Sequence, residues 1–76
     1  MPRDVPDWII NRRRELGVRI RDLRIHANHT QESLAQAADL DRRTLQRIEA
    51  GQSDPRFGDL LRIAAALEQR LSIFGD

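Results

Sequence analysis

Four residues close together in the chain, Arg42, Arg43, Gln46 and Arg47, are of the types that bond a nucleotide base edge through two atoms at once. Arginine offers a planar fork of donors to the O6 and N7 acceptors of guanine. Glutamine offers a donor and an acceptor to adenine. At helical spacing, 42 and 46, like 43 and 47, lie one turn apart on the same face. Thr44 lies among them, and Gln52, Ser53 and Arg56 follow shortly after. Hydroxyl, amide and guanidinium groups of this kind suit phosphate oxygens.

Other chemistry is poorly served. His26 and His29 are three residues apart and could bracket a metal on a helix, but no third ligand of the right type sits nearby. Asp39 and Asp41 fall in a turn, where capping accounts for them. There is no Gly-rich phosphate loop and no nucleophile with an obvious base. We therefore expect no enzyme, no cofactor and no metal.

Positioning the four residues takes helices. Thr30–Gly51 reads as two short amphipathic helices joined by the turn Asp39-Leu40-Asp41. Thr30 caps the first of these, with Leu34, Ala35 and Ala38 facing inward. Asp41 caps the second, with Leu45 and Ile48 inward, and Gly51 stops it. Such a pair lays its second helix, residues 42–50, in the DNA major groove. An earlier helix buries Leu16, Ile20, Leu23 and Ala27, and Asn28 supplies a left-handed stop. A fourth helix runs from about Phe57 to Leu67, burying Phe57, Leu60, Ile63, Ala64 and Leu67. The expected fold is all-α, a compact bundle of four to five helices.

Seventy-six residues make one domain. A chain this short buries only about 60% of its unfolded surface, so dimerisation would help it. Without cysteine it has neither disulfides nor thiol chemistry, and its stability must rest on helix packing. No apolar run is long enough to span a membrane, and MPRDVPDWII lacks a signal-peptide core. The expected location is cytoplasmic, on the nucleoid. Net charge is only +1, but residues 1–30 carry seven Arg against four acids, whereas residues 31–56 carry four against five. Nucleic-acid binding must then depend on where charges point. All thirteen basic residues are Arg, which we attribute to codon bias.

The chain resembles the Xre/Cro-type helix-turn-helix family, to which the lambdoid phage repressors belong. The matching pieces are IRDLR at Ile20–Arg24, TQESLA at Thr30–Ala35, DRRTLQRIEAG at Asp41–Gly51, and the DP…LLRIAAAL run ending at Leu67. The resemblance implies a lambda-repressor-like bundle, twofold homodimers and partly palindromic operators. It makes Arg42, Arg43, Gln46 and Arg47 base readers and Gln31 a phosphate clamp. Phosphate is the alternative target for Arg42 and Arg43. It also implies an ion pair between Arg24 and Glu49. Two positions depart from the pattern. Asp39 stands where glycine is usual in the turn. Ser33 stands where Glu often completes the capping box, which would leave that cap weaker.

Three segments follow: an N-terminal extension, 1–15, helical or arm-like; a helix-turn-helix DNA-binding domain, 16–67; and a tail, 68–76. In the extension, Arg12-Arg13-Arg14 suits a phosphate-binding arm, and Trp8, Ile9 and Ile10 suit a dimer interface. If the first helix runs back through it, Gly17 is a weak point. In the tail, Leu71 and Ile73 alternate with Arg70, Ser72 and Phe74. That pattern suits a short β-strand pairing with its copy at a dimer interface, as in some antitoxins. A short helix with Leu71 tucked into the core fits equally well.

The leading expectation is a sequence-specific transcription regulator that binds double-stranded DNA as a homodimer. Alternatives are the antitoxin of a toxin–antitoxin pair, with a toxin as partner, a restriction–modification controller, or a protein–protein adaptor on the same fold.

Overall fold

Four α-helices and one short 3-10 helix make up the computed structural model, which describes residues 4–75. Residues 1–3 of the extension and residue 76 of the tail lie outside the described residues. The helices are α1 (Asp7–His26), α2 (Gln31–Ala37), α3 (Arg42–Glu49) and α4 (Phe57–Ala66), with the 3-10 helix at Leu71–Phe74. The core joins all four: Ile20 of α1, Leu34 of α2, Leu45 and Ile48 of α3, and Ile63 of α4 are essentially inaccessible to solvent. These are periodic apolar positions, one or two per helix, so each helix contributes a stripe to a shared centre.

Each of the four α-helices stops in the same way. The residue after each C-cap takes a left-handed backbone: Asn28 (φ 59°), Asp39 (φ 55°), Gly51 (φ 70°) and Glu68 (φ 58°). Paired reverse hydrogen bonds accompany each stop. At α3 the Gln52 amide donates to the Arg47 carbonyl at 2.9 Å and the Gly51 amide to Ile48 at 3.0 Å. This double bond satisfies carbonyls that the helix end would otherwise orphan. Only one of the four positions is glycine. Asp39 therefore adopts the conformation usually left to glycine and keeps the α2–α3 turn tight.

The start of α2 is fully capped. Thr30 Oγ1 accepts from the Ser33 amide at 3.0 Å, and Ser33 Oγ accepts from the Thr30 amide at 3.0 Å. Serine thus closes the reciprocal box that we expected to be weakened without Glu. Asp41 does occupy the N-cap of α3, but its side chain makes no capping bond and stays in solvent.

Several expectations are corrected. Ala27 is exposed, because it is the C-cap of α1 and the chain turns away there. Phe57 is 64% exposed. It begins α4 before that helix reaches the core, and it lies with Leu61 on the outward side. Of the two readings that fitted the tail equally well, strand and short helix, a short 3-10 helix stands and no strand forms among the described residues. Leu71–Phe74 instead satisfies its own backbone in tight turns, with the Ile73 amide on the Arg70 carbonyl at 3.0 Å. Arg19 Nε ties it to α1 by donating to the Ile73 carbonyl at 3.1 Å. A lone strand would leave these groups unpaired, so the chain closes on itself.

Gly17 is not a weak point, because α1 runs through it without interruption. A Cβ there would lie 2.4 Å from the Glu49 carbonyl oxygen and 2.6 Å from that of Ile48. The glycine lets the end of α3 lie directly on the backbone of α1. Helix propensity alone makes Gly17→Ala stabilising by about 1 kcal/mol. Steric conflict reverses the sign, and we expect a loss of about 1–3 kcal/mol in urea denaturation. A raised midpoint would show that α1 and α3 separate freely.

Candidate nucleic-acid interface

α3 is two-faced because of its sequence. Leu45, Ile48 and Glu49 are buried, while Arg42, Arg43 and Arg47 are exposed and Gln46 and Thr44 are half-buried. Among the described residues, no hydrogen bond or ion pair engages Arg42, Arg43 or Arg47. Three guanidinium groups and one amide therefore face outward from one short rod, held from behind by the core.

The rod is fixed by a buried carboxylate. Glu49 accepts from Arg24 Nε at 2.8 Å and from the second Arg24 terminal nitrogen at 3.1 Å, a forked pair. The side chains of Arg24 and Glu49 are only 11% and 3% exposed. Gln31 Nε2 donates to the same carboxylate at 3.2 Å, and Arg24 Nη1 donates to the His29 carbonyl at 3.0 Å. One anion thus draws α1, α2 and α3 together with satisfied, charge-assisted bonds.

The network continues to the surface. Gln31 Oε1 accepts from Gln46 Nε2 at 3.4 Å. Gln46 is therefore linked through Gln31 to the buried pair. Gln31 has one amide hydrogen engaged by Glu49, and its second remains for another acceptor. From the sequence, Gln31 is expected to be a phosphate clamp and Gln46 a base reader, two separate roles. They lie on different helices and no local pattern couples them.

The opposite edge of α3 faces the loop after it. Asp41, Arg43, Thr44, Arg47 and Ser53 line a shallow depression of about 150 Å³. Two arginines, two hydroxyl residues and one carboxylate, Asp41, border this concavity. Gln52 and Arg56 are exposed on the same loop and do not line it. The two histidines are engaged elsewhere. His26 Nδ1 meets the Asp22 carbonyl at 2.9 Å, and His29 Nδ1 meets Ser33 Oγ at 2.8 Å.

The triple arginine is part of α1 and not a free arm. Arg13 reaches Asp54 in the α3–α4 loop at 3.5 Å. The stem of Arg14 passes against Gly51, where an added Cβ would sit 3.0 Å from its Cα and Cγ. The run of arginines was visible in the sequence, whereas its partners, distant in the chain, were not.

Residues 15–69 match a family model described as a helix-turn-helix domain. Three solved structures are similar. The restriction-modification controller protein C.AhdI from Aeromonas hydrophila is 30% identical with a TM-score of 0.81, over 83% of this chain and 96% of that one. An HTH_3 family transcriptional regulator from Vibrio cholerae is 26% identical with a TM-score of 0.82; the match covers 87% of this chain and 37% of that one. The hypothetical transcription factor NHTF from Neisseria is 26% identical with a TM-score of 0.80, over 97% of this chain and 84% of that one. No curated protein sequence matches at a significant level.

The buried pair yields a stability prediction. Glu49→Gln or Arg24→Ala leaves the other charge without its partner inside the protein. We expect a loss of roughly 3–5 kcal/mol in either case, read by thermal or urea denaturation. An unchanged melting temperature in Glu49→Gln would show that the charge is not what binds the helices.

Proposed function

We propose, from the premise that this chain belongs to the helix-turn-helix domain family and is of the Xre/Cro type, that it regulates transcription by reading a partly palindromic operator as a homodimer. The observation that carries the proposal is the outward face of α3, with three arginines that have no partner among the described residues, beside Gln46. An adaptor protein would have little use for so many forked donors on one helix.

In this reading α3 lies in the major groove. Arg42 and Arg43, in its first turn, reach deepest, and Gln46 and Arg47 contact bases one turn later. Arginine favours guanine, so each half-site contains G. Thr44, Gln52, Ser53 and Arg56 hold the flanking phosphates, and Gln31 adds its remaining amide hydrogen from α2. The buried carboxylate of α3, Glu49, does not oppose this, because it already faces Arg24. Among the described residues no helix is long and apolar enough to cross a membrane.

The dimer face we assign to α4. Phe57, Leu61 and Ala65 recur at helical spacing on its outer side, all exposed. A second copy using the same stripe would make an isologous interface, and reading two successive major grooves requires the two α3 helices to stand about 34 Å apart.

A second reading, a restriction–modification controller, is supported by the similarity to C.AhdI, which extends over nearly all of that protein. A methyltransferase or endonuclease gene next to this one would favour it. The pairing strand that some antitoxins carry in such a tail is a 3-10 helix here, so the tail lends the antitoxin alternative no support of its own.

Two measurements test the proposal. In selection from a random duplex pool, Arg42→Ala should relax preference at one base pair per half-site, a discrimination of about 1–3 kcal/mol. Equal weakening on all sequences would assign Arg42 to a phosphate instead. In sedimentation, the double variant Phe57→Glu, Leu61→Glu should be monomeric while still folded, with operator affinity lost accordingly. A dimer that survives both charges would place the interface elsewhere.

A further inference from the structure

α1 begins eight residues before the family domain, and those residues carry three consecutive arginines. The added turns lie along the α3–α4 loop. Arg14 passes Gly51 at the start of the loop. Arg13 bonds Asp54 further on. Trp8 and Ile9 share an apolar hollow with Pro55. Loop and overhang therefore form one unit, and whatever the loop faces, the overhang flanks.

We propose that this overhang is a second tier of the DNA-backbone surface, in which Arg14 holds a phosphate just beyond those bound by the loop. The inference rests on the proposed DNA-binding function. Two features carry it. Arg14 is exposed, and its stem leaves α1 beside Gly51, next to the loop residue Gln52. Asp54 is the only acid in the loop, and at 77% exposure it would repel a phosphate strand. Arg13 lies against it and offsets that charge. One arginine masks the loop's anion, and the next presents a cation to the same strand. Residues 1–30 also hold the chain's excess of positive charge, outside the recognition helix itself. A helix extension that served only stability would not need to project Arg14 into solvent at this edge.

The test compares wild type with Arg14→Gln and Arg14→Lys on the duplex that wild type selects from a random pool, and on a short duplex of unrelated sequence. Glutamine keeps a polar stem against Gly51 and removes the charge, and lysine restores the charge. For Arg14→Gln we expect the plot of log affinity against log salt to flatten by about 0.9 per protomer on both duplexes. Base preference and melting temperature should stay at wild-type values, and Arg14→Lys should recover the slope. Phosphate-ethylation interference should lose one site at each outer edge of the footprint. An unchanged slope and footprint in Arg14→Gln would overturn this inference while leaving the recognition helix untouched. If wild type binds no duplex in a salt-dependent way, both readings fall.

Discussion

A single buried carboxylate organises this molecule. Glu49 sits at the end of α3 with three donors around it, two from α1 and one from α2. Taken alone, an anion in so small a core would be strongly unfavourable. With its acceptor sites filled it becomes a joint that specifies one angle between the three helices. Apolar packing among Ile20, Leu34, Leu45, Ile48 and Ile63 supplies cohesion without direction, whereas the Arg24–Glu49 fork supplies direction. The same carboxylate orients Gln31, and Gln31 in turn engages Gln46. The innermost charge and the outermost polar face belong to one hydrogen-bonded chain.

The joint also depends on an absent atom. Because Gly17 has no side chain, the last carbonyls of α3 rest on the backbone of α1. That approach brings Glu49 within reach of Arg24, two turns further along α1. The pair and the glycine are complementary parts of one contact. Beyond it, α1 continues past the family domain and lies against the loop that follows α3.

Much of this was legible in the sequence because the signals were local. Thr30, Asn28 and Gly51 announce helix ends through short-range backbone chemistry, whereas Ser33 closes the box with Thr30 against expectation. Leu34, Leu45, Ile48 and Ile63 announce the core by periodicity. Features that depend on contacts across the fold were not legible. Gly17 looks like a helix breaker until its neighbour is known. Phe57 fits the apolar period of α4 yet lies before the buried turn. Leu71–Phe74 alternates like a strand, but alternation over four residues says little without a partner, and α1 offers a nearer one through Arg19. At the interface, residue types pointed to α3, while the link from Gln31 to Gln46 and the bridge from Arg13 to Asp54 have no local signal at all.

The left-handed helix stops bear on the unfolded chain as well as the folded one. At Asn28, Asp39 and Glu68 a side chain occupies a conformation that costs a typical residue about 1–2 kcal/mol, less for Asn and Asp. Glycine would relieve that strain but would also give the denatured ensemble more freedom, typically by about 0.4–1 kcal/mol. The two effects partly cancel, so these termini are defined with little net loss by residues that stiffen the disordered state. Glu68, with neither the short amide nor the short carboxylate that eases this geometry, holds the largest unrelieved strain of the three. The chain has therefore not reached its attainable stability.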